Sequence, residues 1–283
     1  MLYEAGMTEF EAFAVDLARD AARVTLPLFR SDIGHDDKGG AGGFDPVTEA
    51  DRQAEAVIRR RIAERYPDHG VIGEEYGADR PDAEHVWVLD PVDGTRAFIA
   101  GLPLWTTLIA LRTAGTPTVG VIAQPYLDEI FVGGPSGARL LRGETETPLA
   151  VRSCEKLTDA VISTTDPDIF NGAELGAWTQ VRATARLARL GCDAYAYAML
   201  AAGRIDLVAE AGLKPWDWSA LVPVIRAAGG EVVNWRGQAP DDGGQILAVG
   251  DARLIDLGRG FAWLDTGPPE SLLEASQYVQ VLE

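Results

Sequence analysis

The spacing of apolar residues predicts two amphipathic helices near the start of the chain. Apolar side chains recur every three or four residues over positions 8–30 and again over positions 50–65, which is the periodicity of a helix with one buried face. Thr48 precedes the second segment, where a hydroxyl is typical of an N-cap, and Tyr66-Pro67 ends it. Positions 34–44 between the two helices are rich in Gly and Asp, which predicts a loop.

Short apolar runs bounded by Gly, Pro or Asp predict strands over most of the remaining chain. They lie at positions 71–72, 86–89, 104–111, 118–123, 130–132, 161–162, 205–208, 232–233 and 246–249. The gaps between positions 104 and 132 are short, which predicts antiparallel neighbours because parallel strands need longer crossovers. Helical patterns at 194–202 and 218–228 interrupt the later strands, and Gly229-Gly230 stops the second of them. Strands with interspersed helices predict helices layered on sheets.

Length and charge narrow the class of protein. The chain has 283 residues, of which 47% are hydrophobic, and this is enough for one large domain with a sizeable core. Its 25 basic and 43 acidic side chains give a net charge of −18, so nucleic acid and anionic membranes are poor partners. No signal peptide and no apolar stretch of the roughly 18–20 residues that cross a bilayer is readable, so a soluble cytoplasmic protein is expected. The same charge would repel a phosphorylated small molecule unless a local cation reversed the field.

Three short segments concentrate acidic residues next to turn residues. They are Gly73-Glu74-Glu75, Asp90-Pro91-Val92-Asp93-Gly94-Thr95 and Trp216-Asp217-Trp218. In the second segment one tight turn separates Asp90 from Asp93, so both carboxylates and the carbonyl of Val92 can face one point. Gly94 permits close approach of the backbone, and a short helix beginning after Asp93 would aim the N–H groups of Gly94 and Thr95 at an anion.

Oxygen donors of this kind favour a hard cation such as Mg²⁺, which shares its coordination shell with substrate phosphate. Softer metals prefer His or Cys, and neither residue falls in the three segments. His35, His69 and His85 are isolated in the sequence and are predicted to lie in loops or at the surface. Cys154 and Cys192 are far apart, which favours two reduced, buried thiols.

Each acidic segment also has an ordinary structural explanation. Asp-Pro and Asp-Gly are common turn pairs, so positions 90–95 taken alone predict a turn. Glu74 and Glu75 alone predict a solvated charge pair, and Asp217 alone predicts a helix N-cap. Their joint placement at the ends of apolar segments, where the sites of α/β proteins lie, favours a metal site over three unrelated features.

The segments IGEEYG, WVLDPVDGTRAFIAGLP and KPWDWSALVPVIRAAGG together resemble the inositol monophosphatase-like superfamily over about residues 16–256. Within it the chain looks most like the histidinol-phosphatase branch, on the stretches DGTRAFIAGLPLWTTLIAL and CDAYAYAMLAAGRIDLVAE. The resemblance implies a layered αβαβα sandwich, usually a homodimer, that hydrolyses a small phosphate monoester with two or three Mg²⁺ ions and a metal-activated water that attacks in line. We interpret residues 1–260 as one phosphatase domain, with subdomains of about 1–148 and 149–260, and residues 261–283 as a C-terminal extension.

The resemblance also implies a role for each site residue. The metal ligands would be Glu74, Asp90, the carbonyl of Val92, Asp93 and Asp217. Asp51 would help to hold the outer ion or its water, and Thr95 with Glu74 would orient the attacking water. The substrate-binding groups would be Gly94, Thr95, Arg96, Asp193 and Glu210.

Two acids beyond the metal motifs bear on the substrate. Asp193 and Glu210 would suit a cationic amino alcohol phosphate, which favours L-histidinol phosphate and a place in histidine biosynthesis. Inositol monophosphate, or another small sugar or nucleotide phosphate, is the alternative. A non-catalytic acidic protein that binds divalent ions is a rival from another class, but it leaves the anion-ready Gly94 and Thr95 unexplained.

Residues that flank the motifs receive structural interpretations. Lys214 is expected to be a surface lysine, and Tyr195 and Tyr197 are expected to pack in a helix. Trp216 and Trp218 are expected to pack in the core or to border the site. The sequence has neither a P-loop pattern nor a proper Gly-x-Ser-x-Gly setting, which argues against an ATPase and a serine hydrolase.

Overall fold

The computed structural model describes residues 6–32, 34–37, 46–240 and 244–254. The helices are α1 (Glu9–Thr25), α2 (Glu49–Arg65), α3 (Thr95–Ile99), α4 (Gly172–Thr184), α5 (Tyr195–Ala201), α6 (Pro215–Trp218) and α7 (Leu221–Ala227). The strands are β1 (His35–Asp37), β2 (Pro46–Thr48), β3 (Gly70–Gly73), β4 (Gly77–Asp79), β5 (His85–Asp93), β6 (Thr106–Thr113), β7 (Thr116–Gln124), β8 (Glu129–Gly134), β9 (Gly137–Arg142), β10 (Thr145–Pro148), β11 (Val161–Thr164), β12 (Leu187–Leu190), β13 (Leu207–Glu210), β14 (Glu231–Val233) and β15 (Ile246–Val249).

The larger sheet has eight strands in the order β10-β9-β8-β7-β6-β5-β3-β4. Its neighbours are antiparallel except for β3 and β5, which run parallel. The antiparallel arrangement predicted between positions 104 and 132 is therefore confirmed in β6, β7 and β8. The parallel pair sets Gly73, the last residue of β3, opposite Leu89 of β5, so Glu74 and Asp90 follow at neighbouring positions.

The smaller sheet has five strands in the order β12-β11-β13-β15-β14. β11 is parallel to both β12 and β13, and the other neighbours are antiparallel. Its strands come from residues 161–249, whereas those of the larger sheet come from residues 70–148. The division into subdomains remains a prediction, and the proposed extension, 261–283, lies outside the described residues.

The apolar clusters define five layers. α1 and α2 cover one face of the larger sheet, where Leu17 and Ile58 share a cluster with Trp87. α5 and α7 lie between the sheets and share one cluster with β5 and β6 of the larger sheet and β13 and β15 of the smaller sheet. α4 covers the remaining face of the smaller sheet through Trp178 and Val181. This order of layers confirms the predicted αβαβα sandwich.

The first two long helices begin at capping boxes. The hydroxyl of Thr48 accepts the N–H of Ala50 (3.1 Å), and the carboxylate of Asp51 accepts the N–H of Thr48 (2.9 Å), which confirms the predicted N-cap. α1 begins after Thr8 in the same way, but it ends at Thr25 and not at position 30. Pro27 explains the early end, because it supplies no N–H to continue the hydrogen-bond ladder of the helix.

Elements with little burial were not predicted. α4 buries only Ala177, Trp178 and Val181, so its apolar stripe is too narrow to give a helical period. β10 is exposed along its whole length, and β12 is exposed at most positions, so neither strand shows the alternation of a half-buried strand.

In the described part of the chain, no helix is both long and apolar enough to span a membrane.

His69 lies in the loop before β3, as predicted, whereas His85 is the first residue of β5, and the two histidines are not isolated from each other in space. Their ring centroids are 4.8 Å apart, and the ring of His69 is stacked on that of Tyr66 at 4.5 Å. The indole N–H of Trp87 donates to Nδ1 of His69 (3.1 Å). The two histidines lie close together because β3 and β5 pair in parallel, and sequence separation alone does not reveal such pairing. His35 begins β1 and does not lie in a loop.

Cys154 is buried as expected, whereas Cys192 is only partly buried, and both are free thiols.

Close contact between α7 and the larger sheet depends on two glycines. Gly120 and Gly133 are register partners on β7 and β8. A Cβ at Gly120 would lie 2.1 Å from the carbonyl oxygen of Ala220, and a Cβ at Gly133 would lie 2.4 Å from Cα of Val224. Both contacts are with backbone, so relief requires the helix to move away from the sheet.

Gly133→Ala is expected to lower the free energy of unfolding by about 1–3 kcal/mol, because the added methyl group overpacks the interface between sheet and helix. Gly176→Ala is the matched control. Gly176 lies within α4, and a Cβ there meets nothing within 4 Å. The control should gain about 0.5–1 kcal/mol from the helix propensity of alanine. Urea denaturation of both variants measures the difference, and an unchanged Gly133→Ala protein would contradict the close packing.

Candidate active site

The first acids of the site lie at the ends of the parallel strands β3 and β5. Glu74 follows β3, and its N–H donates to the carbonyl of Leu89 (3.2 Å). Asp90 is the next residue on β5 and is only 3% exposed. Strand pairing therefore brings two carboxylates from separate segments of the chain together in a place with little access to water.

An irregularity in β5 aims the next groups. The pairing of β5 with β6 shifts between Asp90 and Asp93, where Pro91 has no N–H to offer the ladder. The N–H of Val92 donates to Oδ1 of Asp90 (3.2 Å), and the carbonyl of Pro91 accepts the hydroxyl of Thr107 (2.8 Å). These bonds hold the turn so that Asp90, Val92 and Asp93 border the same cavity.

The chain then enters α3 through a left-handed glycine. Gly94 has φ 82°, which a side chain would strain, and Thr95 is the first residue of α3. The Thr95 hydroxyl lies 3.1 Å from the carbonyl oxygen of Val92 and 3.4 Å from Oδ1 of Asp51. α3 is only five residues long, so its N–H groups matter more to an anion than its small macrodipole.

Asp93 links the two halves of the chain. Its Oδ2 accepts the N–H of Ala194 (2.8 Å) and lies 3.3 Å from the hydroxyl of Thr106. Asp193 has φ 44°, a left-handed conformation that is uncommon for a residue with a side chain. A Cβ at Gly94 would lie 3.1 Å from Oδ2 of Asp193. Glycine at position 94 thus makes room for the carboxylate of Asp193.

Two further acids come from the second half of the chain. Asp217 lies in the first turn of α6, where its Oδ2 accepts the N–H of Lys214 (2.6 Å). It therefore contributes to capping from inside the helix and is not itself the N-cap. Glu210 is the last residue of β13, is 3% exposed, and accepts the N–H of Thr165 at 2.6 Å.

Most predicted site residues line one cavity of about 370 Å³. Those in its lining are Glu74, Asp90, Val92, Asp93, Gly94, Thr95, Asp193, Glu210 and Asp217. Asp51 is buried beside Thr95 without entering the lining, and Arg96 is exposed outside it. A larger groove of about 580 Å³ between α1 and α2 contains none of the predicted residues.

Several lining residues had been given structural interpretations or none. Lys214, Thr165 and Tyr197 border the cavity, and so does Trp216, for which this position was one of the two expected. The Tyr197 side chain is 2% exposed, and its hydroxyl has no hydrogen-bond partner among the residues that the structure describes. Tyr195 instead donates to Glu129 (2.7 Å). Two residues along a helix point in different directions, so helical spacing could have separated the two tyrosines.

Crowding of buried acids dominates the electrostatics of the cavity. Burial and, next, the carboxylate of Glu74 raise the pKa of Asp90 well above its usual range. Burial and then Asp193 do the same to the pKa of Asp93. Burial also raises the pKa of Glu210 to about 8. The cavity concentrates negative charge that its own cationic groups compensate only in part.

This donor set fits a hard divalent cation. The lining offers carboxylate, carbonyl and hydroxyl oxygens, and it includes no His or Cys among the described residues. Within the described ranges, no three His, Cys, Asp or Glu side chains are arranged so that they could hold a metal ion by themselves. An open arrangement suits Mg²⁺, which is usually held by a few carboxylates and completes its octahedron with water and substrate phosphate.

Comparison with known proteins shows the family of the chain. Residues 6–261 match the model of the inositol monophosphatase family. "Bifunctional phosphatase IMPL2, chloroplastic" of Arabidopsis thaliana is 42% identical over 236 residues, which are 82% of this chain and 66% of that protein. A histidinol-phosphatase of Chlorobaculum parvum is 32% identical over 248 residues, which are 87% of this chain and 94% of that protein. The chain thus spans slightly less than two thirds of the Arabidopsis relative and nearly all of the Chlorobaculum relative.

A solved structure shares the architecture. The inositol monophosphatase from Zymomonas mobilis superposes with a TM-score of 0.80 at 36% identity, over 90% of this chain and 97% of that one. The αβαβα sandwich with its acid-lined cavity therefore defines a hydrolase of phosphomonoesters. The chain belongs to the inositol monophosphatase family, which is generally Mg²⁺-dependent.

Mg²⁺ is expected to stabilise the protein, and to do so more strongly at higher pH. Burial raises the pKa values of Asp51 and Asp193 to about 6 and that of Glu210 to about 8. An acid whose pKa is raised on folding lowers the free energy of unfolding as the pH rises. The loss begins near the pKa of the acid in the unfolded protein, about 4, and is complete above its pKa in the folded protein. The metal-free protein should therefore weaken between about pH 4 and pH 8, and a cation should offset the loss because it binds the ionised carboxylates.

Thermal unfolding across this pH range, with EDTA and with Mg²⁺, measures the effect. NaCl of matched ionic strength controls for general screening of the acidic surface. An equal effect of Mg²⁺ and NaCl on the unfolding temperature, or a Mg²⁺ effect that does not grow with pH, would contradict the assignment of the cavity as a Mg²⁺ site.

Proposed function

We propose that this chain is a Mg²⁺-dependent phosphomonoesterase that converts L-histidinol phosphate to L-histidinol. The observation that carries the proposal is the concentration of buried carboxylates around one cavity that also borders the first turn of α3. The ligands would be Glu74, Asp90, the carbonyl of Val92, Asp93 and Asp217. Bound Mg²⁺ would neutralise these acids, activate a water, and stabilise the charge that develops on the phosphoryl group and the departing alcohol.

Thr95 and Asp51 support a role in orienting the attacking water. Oδ1 of Asp51 lies within hydrogen-bond reach of the Thr95 hydroxyl, and its Oδ2 is held by the N–H (2.9 Å) and hydroxyl (2.5 Å) of Thr48. A Thr95 hydroxyl that donates to Asp51 keeps an oxygen lone pair with which to accept a hydrogen bond from water. We therefore pair Thr95 with Asp51 in addition to the Glu74 expected from sequence.

The backbone at the start of α3 would bind the phosphate. Gly94 and Thr95 both border the cavity, and glycine at position 94 lets a ligand approach the main chain. Arg96 is exposed, but its positive charge lowers the pKa of Asp193 against the larger effect of burial. Arg96 would thus act on the substrate through the ionisation of Asp193.

The alcohol half of the substrate is inferred from charge. Among the described residues of the lining, six carry carboxylates and one, Lys214, carries a basic side chain. Asp193 and Glu210 are not among the proposed metal ligands, so they remain for the alcohol. An ammonium group pairs with such acids and lowers their raised pKa values, whereas a neutral polyol offers hydrogen bonds without charge.

Relatives support both candidate substrates. The Chlorobaculum relative is named as a histidinol-phosphatase, and the Zymomonas structure is of an inositol monophosphatase, which keeps the inositol ester as the second candidate. The acids on the alcohol side favour the cationic ester. Family membership disfavours the alternative of a non-catalytic acidic protein that binds divalent ions. A homodimeric state, which the resemblance implies, and a cytoplasmic location complete the proposal.

A panel of esters tests the substrate. In the presence of Mg²⁺, kcat/KM is expected to be highest for histidinol phosphate, above inositol monophosphate, fructose bisphosphate and adenosine 3′,5′-bisphosphate. Glu210→Gln should lower kcat/KM for histidinol phosphate by about tenfold, roughly 1.4 kcal/mol, because an amide cannot neutralise an ammonium group. Its effect on the inositol ester should be smaller.

Asp93→Asn controls for contaminating phosphatases. Its amide oxygen can still accept the N–H of Ala194, so the variant should fold, yet it should lose orders of magnitude in kcat on every ester. A wild-type preference for the inositol ester would overturn the choice of substrate. Near-normal turnover by Asp93→Asn would overturn the proposed ligand set.

A further inference from the structure

The turn that carries Glu74 is anchored from another element. Glu74, Glu75 and Tyr76 form the connection between β3 and β4, whose register pairs Gly73 with Gly77. The N–H groups of Glu75 and Tyr76 both donate to the side chain of Glu55 on α2, at 2.8 and 3.2 Å. A hairpin turn that would otherwise depend on its own short strands is thereby tied to a long helix.

Glu55 is built into this contact. Its side chain is fully buried, and its Oε1 also accepts the Nε–H of Arg59 (2.7 Å), one helical turn later. Arg59 reaches further and donates through Nη2 to the carbonyl of Gly77, at the other side of the turn. One carboxylate and one guanidinium thus hold the turn from both ends, and each compensates the charge of the other.

The backbone next to the turn is shaped for Glu55. A Cβ at Gly73 would lie 2.0 Å from Oε1 of Glu55, so a residue with a side chain would displace the carboxylate. The N–H of Glu74 donates to the carbonyl of Leu89, directly before Asp90. Glu74 is therefore fixed on one side by β5 and on the other by α2.

The same helix also contacts a second residue of the cavity lining. Asp51 and Glu55 are four residues apart on α2, so both lie on its inward face. Asp51 contacts the Thr95 hydroxyl, and Glu55 holds the turn of Glu74. A shift of α2 would therefore disturb both contacts at once.

We propose that Glu55, backed by Arg59, is a positioning residue that presets the carboxylate of Glu74 for Mg²⁺. The proposal rests on the proposed role of Glu74 as a ligand. Removing a group that orients a metal ligand typically costs about 10- to 100-fold in metal affinity, even though the group does not touch the metal.

Glu11 offers a matched control within the same chain. It is a buried glutamate on α1 that accepts the N–H groups of Thr8 (2.6 Å) and Ser136 (3.0 Å), and Ser136 lies in the turn between β8 and β9. A Cβ at Gly134 would lie 2.5 Å from its Oε1, as at the Glu55 site. Glu11 therefore anchors a hairpin turn in the same manner but holds no residue of the cavity.

The experiment compares Glu55→Gln, Glu11→Gln and Glu74→Gln by calorimetric titration with Mg²⁺ and by thermal unfolding. Both anchoring variants should lower the unfolding temperature. Only Glu55→Gln should also weaken Mg²⁺ binding, by about 10- to 100-fold, and raise the Mg²⁺ concentration needed for half-maximal kcat. Glu74→Gln should weaken Mg²⁺ binding without a comparable loss of stability.

The other possible results contradict either the positioning role of Glu55 or the ligand role of Glu74. Equal Mg²⁺ affinities for Glu55→Gln and Glu11→Gln would overturn the positioning role. Wild-type Mg²⁺ affinity in Glu74→Gln would overturn the proposed ligand itself, which separates failure of the site from failure of this inference. If Glu55→Gln does not fold, Arg59→Lys is measured in its place, because lysine cannot contact both Glu55 and Gly77. The Mg²⁺ affinity of Arg59→Lys should also fall. An unchanged affinity would overturn the proposal.

Discussion

The repulsion between carboxylates that are buried together is the constraint on which the rest of this structure depends. Asp90 is almost fully buried, and Glu74, Asp93 and Asp217 all act on it with like charge. Such a group is costly unless protons or cations neutralise it. In an enzyme that must admit a phosphate into a protein of net charge −18, cations serve both needs, because they cancel the carboxylates and attract the substrate. Protons would cancel the charge of the carboxylates but would not attract the substrate.

The fold keeps these acids in place by strong local means. Parallel pairing sets the end of β3 beside Leu89 of β5, and the irregularity after Asp90 turns the backbone so that Val92 and Asp93 follow Asp90 into the same cavity. Asp93 then accepts an N–H from Ala194, which ties the larger sheet to the segment before α5. Separation of the acids to relieve their repulsion would require movement of β3, β5 or α6, because Glu74 follows β3, Asp90 and Asp93 lie on β5, and Asp217 lies on α6. Affinity for a cation follows from this rigidity as much as from charge.

Features that depend on neighbours in sequence were predictable, and those that depend on neighbours in space were not. The turn from Asp90 to Thr95 carries its own chemistry, so the segment could be identified before any fold was known. The capping box at Thr48 is equally local. The role of Glu55 involves a partner 20 residues away in the chain, and no spacing rule connects the two. Tyr197 and Lys214 have ordinary patterns, and only the meeting of α5 and α6 around the cavity distinguishes them from packing or surface residues. Exposed elements such as β10 lack any apolar pattern, because they bury nothing that selection must keep apolar.

The most direct test of the account is the position of the metal. Crystals grown with Mn²⁺ in place of Mg²⁺ and with inorganic phosphate would locate the ions by anomalous scattering. The account predicts peaks within about 2.5 Å of carboxylate oxygens of Asp90 and of at least one of Glu74, Asp93 and Asp217, with phosphate between the ions and the first turn of α3. Strong peaks confined to the acidic outer surface, with the cavity filled by water alone, would contradict it.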